Sequence, residues 1–429
     1  MKTLINPNSA ELKKALERPQ LEQNDLSALV KGVFDDVAKG GNKAVLNYAQ
    51  KFDLFPGVDF TVSLAEIKEA IEQLDDELKF AIQQAAKNIQ TFHEAQKEPV
   101  QVIETMPGVK CWRKSVGIDK VGLYIPGGTA PLFSTVLMLG IPAKIAGCKE
   151  IILSTPANAE GKIHPAILFA AELIGVTKIV KLGGIQAIAA LALGTETVSK
   201  VYKIFGPGNQ YVTAAKQYAQ ANGTAIDMPA GPSEVMVVAD EFANPVFIAA
   251  DLLSQAEHGA DSQVILLSTD VEILKKTKKE VSKQLDQLSR KELAEKSLKY
   301  AKFIQVEKQQ LVAVINEYAP EHLILVTNFN DELISGITNA GSVFIGKYTP
   351  ESLGDYASGT NHTLPTNGYA KMYSGVSLDS FVKKITYQEV TADGLKLVGP
   401  IVEKMAAAEE LTAHKNAVTL RLKELKNEF

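Results

Sequence analysis

Cysteine is scarce in this chain: two among 429 residues, Cys111 and Cys148. Two are too few for a disulfide framework, and neither has a second cysteine at metal-ligand spacing, so both are read as buried and inert. Long single-sign charge runs are missing too. The 45 basic and 50 acidic residues are interspersed, giving a net charge of −5 and no electrostatic footprint for nucleic acid. The most apolar stretch, 131–146, is broken by Gly140 and Pro142, and the opening Met-Lys-Thr-Leu-Ile-Asn-Pro-Asn holds no apolar signal core. These absences argue against secretion and membrane spanning. They leave a cytoplasmic protein with a small-molecule partner as the expectation.

What is present is a globular composition, 46% hydrophobic, over a length that predicts two to three domains. Short β-branched runs alternate with helical patterns, which predicts parallel strands joined by crossover helices. The predicted strands are 121–125, 150–154, 178–182, 201–205, 234–239, 263–268, 323–326 and 342–345. Segments 121–156 and 234–270 share the order strand, helix, strand, ending Ile-Ile-Leu-Ser-Thr and Ile-Leu-Leu-Ser-Thr. Two related halves and convergent patterning both account for that. Residues 65–97 read as helical, and so does the tail from Val402, where Thr412 is a candidate N-cap opening a fresh helix over 413–426.

Only six histidines occur, and four of them, His258, His322, His362 and His414, lie in the C-terminal part beside carboxylates, amides or glycines. Imidazole titrates near neutral pH and ligates zinc, so one metal-assisted site is the leading expectation. Asn244-Pro245 predicts a helix start and Gly259 its stop. Along that helix Asp251, Ser254, Gln255 and His258 fall at i, i+3, i+4, i+7 on an otherwise apolar surface, with Gln255 and His258 expected in its last turn. A solvated stripe is the plain alternative. Glu321-His322 stands at the mouth of a strand, as a carboxylate-imidazole pair or as an ordinary surface turn. The loop 354–362 carries Asp355 and His362. Gly-x-Gly-x-x-Gly is absent, but Gly127-Gly128, Gly183-Gly184 and Gly206-Pro-Gly208 each follow a predicted strand and precede a helix, a placement suited to an anionic ligand.

Taken together, Val121-Gly-Leu-Tyr-Ile-Pro-Gly-Gly, Phe205-Gly-Pro-Gly-Asn209, Ala230-Gly-Pro-Ser-Glu234, Asp251-Leu-Leu-Ser-Gln-Ala-Glu-His258, Ala319-Pro-Glu-His322, Gly354-Asp-Tyr-Ala-Ser-Gly-Thr-Asn-His362 and Thr412-Ala-His-Lys-Asn-Ala-Val-Thr-Leu-Arg421 resemble the histidinol dehydrogenase family from end to end. The resemblance implies an α/β fold of two incomplete Rossmann-like domains with parallel sheets, plus small N- and C-terminal helical segments. The implied division is 1–20, then 21–123 with 234–376 on the substrate and metal side, 124–233 on the NAD side, and 377–429 as a tail. It implies NAD-dependent oxidation of L-histidinol through L-histidinal to L-histidine, with zinc held by Gln255, His258, Asp355 and His414. Substrate would be held by Ser233, Glu409, His322 and those ligands, and NAD by Tyr124, Gln186 and Asn209. Glu321 and His322 would be the acid/base pair, in an intertwined homodimer. Zinc chemistry alone would favour Glu257 over Gln255, but the helix stripe supports Gln255. Two other readings stay open: a zinc hydrolase in which Glu321 activates water, and a non-catalytic binding protein.

Overall fold

The computed structural model describes residues 1–18, 26–127, 130–229 and 231–426. Gly128 of the first glycine loop and Ala230 of the Gly-Pro-Ser-Glu segment lie outside the described residues. The chain divides into two units, Met1–Ala95 with Ile118–Phe381, and Gln96–Gly117 with Val382–Phe429.

The larger unit holds two all-parallel sheets. In one, the spatial order is β6 (Lys178–Val180), β5 (Glu150–Ser154), β4 (Lys120–Tyr124), β7 (Lys203–Phe205), β8 (Ala225–Ile226). In the other it is β1 (Lys2–Ile5), β11 (Lys302–Gln305), β10 (Gln263–Ser268), β9 (Glu234–Ala239), β12 (His322–Val326), β13 (Ser342–Ile345). Counted along the chain from β4 and from β9, both follow the Rossmann-like order 3-2-1-4-5, and β1 extends the second at its edge. The likeness of 121–156 to 234–270 thus extends to all five strands of each half.

Residue alternation explains the two-faced cores. Ile151 and Leu153 of β5 pack on one side of their sheet and Ile152 on the other, while Val235, Val237 and Ala239 of β9 oppose Met236 and Val238. Both faces are apolar because helices cover both, and each fully buried Ile or Val contributes about 1.5–3 kcal/mol. The two cysteines are half-buried rather than buried, and burial pushes the Cys148 thiol up to about 11, which keeps it a poor nucleophile.

Several element ends differ from expectation. Residues 65–97 form two helices, Leu64–Glu72 and Asp76–Glu94, because Asp75 caps the second by accepting from Leu78 N–H. Asn244 caps the helix Pro245–Ala256, as expected, but that helix ends at Ala256, with Glu257 and not Gly259 at its stop. His258 therefore lies beyond the last helical turn. Thr412 is the first helical residue of Thr412–Leu425 and not its cap; Glu410, at φ 61°, separates it from Ala392–Ala408.

The smaller unit adds an antiparallel sheet that the hydrophobic patterning does not announce: β14 (Val382–Val390) pairs with β3 (Val109–Gly117), and β3 with β2 (Val102–Met106). Most of its residues are exposed or half-buried, which leaves no apolar run to read.

Candidate active site

Helices of a parallel sheet run against its strands, so Pro245–Ala256 begins past the carboxyl end of β9 and delivers Gln255 to the amino edge. Glu321 and His322 stand at that same edge, before and at the start of β12, beside Glu234, the first residue of β9. The usual expectation for an α/β sheet is a ligand at the carboxyl ends. Here the Glu-His pair occupies the opposite edge.

Neighbouring side chains normally diverge, yet both of these turn inward. Ala319, in the left-handed region at φ 53° and ψ 68°, makes the irregular turn that permits it. Glu321 and His322 are 5% and 4% exposed. Glu321 Oε2 accepts from Glu234 N–H at 2.8 Å, and His322 Nδ1 donates to the Glu234 carbonyl at 3.1 Å. The His322 Nδ1 to Glu321 Oε2 separation is 3.6 Å. On its other side, His322 Nε2 lies 3.4 Å from Asp355 Oδ1, within ion-pair range but without a well-formed hydrogen bond. Burial opposes the imidazolium, but Glu321, Asp355 and Glu351 outweigh it and hold His322 well above its ordinary value, not near neutrality as a freely working base requires.

Asp355 comes from the short helix Glu351–Tyr356. Burial opposes its charge, but the close contact and charge of His322, then the charges of His362 and His258, leave its carboxyl below the usual range. His362 Nδ1 donates to the Asp355 main-chain carbonyl at 2.8 Å, and its Nε2 meets Thr135 Oγ1 at 3.1 Å. Thr135 lies at the start of Phe133–Ala146, the helix that leaves the carboxyl end of β4. His362 therefore links the amino edge of one sheet to the carboxyl edge of the other.

Gln255 is 1% exposed, and its Nε2 has no hydrogen-bond partner. Ser254 beside it donates to Glu351 Oε1 at 2.8 Å, and Glu351 Oε2 is likewise without a partner. Burial pushes Asp251 up to about 7, and burial, against the charge of His322, pushes Glu351 up to about 8. The stripe Asp251-Ser254-Gln255 thus faces this acidic interior and not solvent. His258 is exposed, and so are Glu409 and His414, which belong to the smaller unit. Ser233, half-buried, precedes Glu234, and its carbonyl accepts from Gln263 N–H.

Among the described residues, no three or more His, Cys, Asp or Glu converge with metal-holding geometry. The unpaired Glu351 Oε2 is an acceptor and suits a cation, whereas the unpaired Gln255 Nε2 is a donor, so Gln255 would bind one only with its amide turned to present Oε1. Asp355, its carboxylate close enough to His258 to feel that charge, and Gln255 so turned are the expected ligands that fit a metal here.

The remaining candidates gather at the carboxyl edge of the other sheet. Tyr124 ends β4, and its hydroxyl accepts from Gly184 N–H at 3.2 Å. Gln186 Nε2 and Gly183 N–H both donate to Asp53 Oδ2, at 3.1 and 3.0 Å. Asn209 is exposed and caps Gln210–Ala221 through Tyr211 and Val212 N–H. The loop before it is pinned at Gly206: its N–H donates to Asp227 at 2.8 Å, and its carbonyl accepts from Lys216 Nζ at 2.7 Å. Lys216 and Asp227 form a buried ion pair at 2.5 Å. Asp53, Glu351, Lys216 and Asp227 were not singled out from sequence. Asp53 and Glu351 are remote in the chain from what they touch, while Lys216 and Asp227 lie ten to twenty-one residues from theirs, and no local pattern marks any of them.

No helix among the described residues is long and apolar enough to cross a membrane. A family model described as histidinol dehydrogenase matches residues 16–422. A histidinol dehydrogenase of Bacteroides fragilis is 58% identical over 427 residues, covering 99% of this chain and 100% of that one. One from Yersinia pestis is 50% identical over 432 residues, covering 99% and 97%. The crystal structure of histidinol dehydrogenase from Elizabethkingia anophelis is 58% identical, with a TM-score of 0.98 and 99% of each chain covered.

Proposed function

Because this chain belongs to the histidinol dehydrogenase family, an oxidoreductase family of the final steps of histidine biosynthesis, we propose that its amino-edge pair works as follows in a four-electron, NAD-dependent oxidation of L-histidinol. The hydrolase alternative is not supported.

With Nδ1–H given to the Glu234 carbonyl, Nε2 is the ring atom free to exchange a proton with substrate. His322 first releases the proton that Glu321, Asp355 and Glu351 hold on it; the alcohol proton then passes to Nε2 as a hydride leaves the carbon, giving the aldehyde. Glu321 then takes a proton from water as it adds and His322 returns the alcohol proton to the carbonyl oxygen, so that the hydrate forms and loses its second hydride while the freed His322 takes a hydroxyl proton. Two hydrides go to two NAD molecules, and histidine remains. The aldehyde never needs to leave the interior where the pair is buried.

NAD, when bound against Tyr124, Gln186 and Asn209, supplies the hydride acceptor. Zinc, held by Gln255, His258, Asp355 and His414, would supply a fixed positive centre for the substrate's amino and imidazole nitrogens and engage the Asp355 charge. Ser233, Glu409 and the ligand residues would orient the substrate. The family resemblance implies a homodimer, in which a neighbour's tail, 377–429, would bring His414 and Glu409 to the site. Residues 124–233 would be the NAD side, and 21–123 with 234–376 the substrate side, after an N-terminal segment 1–20; the setting would be the cytoplasm. What supports this reading above all is the buried Glu321-His322 pair sharing one residue's main chain beside Asp355.

The test is stoichiometry. About two NADH should form per histidinol, with histidine as product. Chelation should abolish the reaction and added zinc restore it. A ratio near one, or full activity in metal-free protein, would refute the corresponding half of the reading.

A further inference from the structure

Glu234 is fully buried, although a carboxylate removed from water is costly unless paired. Arg18 Nε donates to its Oε1 at 2.5 Å and Arg18 Nη2 to its Oε2 at 2.8 Å, while Asn367 N–H donates to Oε1 at 3.1 Å. Arg18 also donates to the carbonyls of Tyr318, at 2.8 Å, and Ala319, at 3.4 Å, and lies 4.0 Å from the centre of the Tyr318 ring. The Tyr318 hydroxyl meets Gln263 Oε1 at 3.2 Å, and Gln263 is the β10 residue in register with Glu234. One guanidinium thus grips the start of β9 and the end of the turn that leads into Glu321 and His322.

Stability does not account for such a pair, because replacing a buried ion pair with well-packed uncharged groups is often neutral or stabilising. What the fork geometry of arginine supplies is orientation. Here the oriented object is the Glu234 peptide, whose N–H holds one oxygen of Glu321 and whose carbonyl selects the His322 tautomer. The left-handed Ala319 adds to this: such a conformation persists only where its surroundings over-determine it, and Arg18 bonds its carbonyl.

We propose that Arg18 and Glu234 are positioning residues of the oxidation, a clamp that holds Glu321 and His322 in register with substrate through the Glu234 main chain. The inference rests on the assignment of Glu321 and His322 to the chemistry. Neither clamp residue touches the reacting atoms. Their effect is on alignment, and a misplacement near 1 Å costs roughly a hundredfold in rate. The alcohol step uses His322 alone, whereas the aldehyde step uses both members of the pair, so a loosened clamp slows the second step more.

The experiment uses the full-length, zinc-loaded enzyme carrying Arg18→Met together with Glu234→Gln, which removes both charges and strands neither. Oxidation of histidinol and of histidinal is measured separately, with KM for NAD and the melting temperature. Histidinol oxidation should fall by about tenfold or more and histidinal oxidation by a clearly larger factor, with the NAD KM and the melting temperature close to wild type. A fold-wide defect that merely removes active enzyme lowers both steps by one factor. That result, or wild-type rates in both, overturns the clamp. Should the double variant fail to fold, Arg18→Lys keeps the charge without the fork; a smaller shift in the same direction supports the proposal, and an unmoved ratio overturns it. Glu321→Gln and His322→Asn run beside it. If those two keep wild-type rates, the catalytic assignment falls and the clamp with it; if they are impaired while the clamp variants are not, the clamp alone falls.

Discussion

His322 has one ring nitrogen committed to a carbonyl and one left for chemistry, and Glu321 has one oxygen committed to an N–H and one left. Different duties follow from that division. Glu321→Gln keeps shape but cannot take a proton from water, so aldehyde oxidation should fall roughly 10²–10⁴-fold while alcohol oxidation changes little. His322→Asn should impair both. Single-turnover NADH formation from histidinol and from histidinal measures the two, and equal losses for Glu321→Gln would remove its special role. A second residue-scale expectation concerns Asp251 and Glu351, which burial raises to about 7 and about 8. In the unfolded chain both titrate near about 4, so the folded protein keeps protons that the unfolded chain releases. The stability they contribute is full below that value and is lost as pH rises through 7 and 8. Unfolding of the metal-free enzyme in denaturant should therefore become easier from about pH 5 to 8, by up to about 1.4 kcal/mol per pH unit for each group. Asp251→Asn with Glu351→Gln should flatten that dependence; an unchanged slope would mean the two carboxyls titrate normally.

At the scale of elements, each half of the site depends on where a strand ends. The loop after β7 turns at Gly206, whose φ of 122° suits glycine alone, and an added Cβ would sit 2.0 Å from the Tyr124 carbonyl oxygen. Gly206→Ala must push the loop away from β4. We expect the NAD KM to rise about tenfold or more and stability to fall by about 1–3 kcal/mol, with the histidinol KM within about twofold of wild type. Steady-state kinetics with each substrate varied decides it: a selective loss of histidinol affinity would place this loop on the other side of the site. The Lys216–Asp227 pair explains why the loop is held so firmly. It satisfies both peptide groups of Gly206, and neither charge is left alone in the interior.

For the whole molecule, the decisive question is how the tail serves the site. If a neighbour's tail supplies His414, mixing His322→Asn enzyme with His414→Asn enzyme should restore one intact site in every heterodimer. Random reassortment makes half the dimers heterodimers with one good site of two, so activity should recover to about a quarter of wild type. No recovery after verified subunit exchange would show that the tail acts within its own subunit.

Much of this was legible in sequence because it is local. The α/β class follows from β-branched runs alternating with helices, and the Asn244 cap and the Asp251-Ser254-Gln255 stripe follow from spacing within one helix. Whether the stripe faced solvent or the interior was not local, and the structure decided it through Glu351, nearly a hundred residues on. The same holds for Glu321-His322. Adjacency in sequence could not say that both side chains turn inward, because that depends on Ala319 adopting a left-handed conformation and on Glu234 offering its N–H and carbonyl. Nor could it foresee the charge that Asp355 and Glu321 impose on His322, since electrostatics in a buried site is set by through-space distance. Composition and periodicity determine which segments become strands and helices and which face of each is apolar. Which strand edge carries the chemistry, and which remote residues hold it there, is fixed only when packing brings distant segments within a few ångströms.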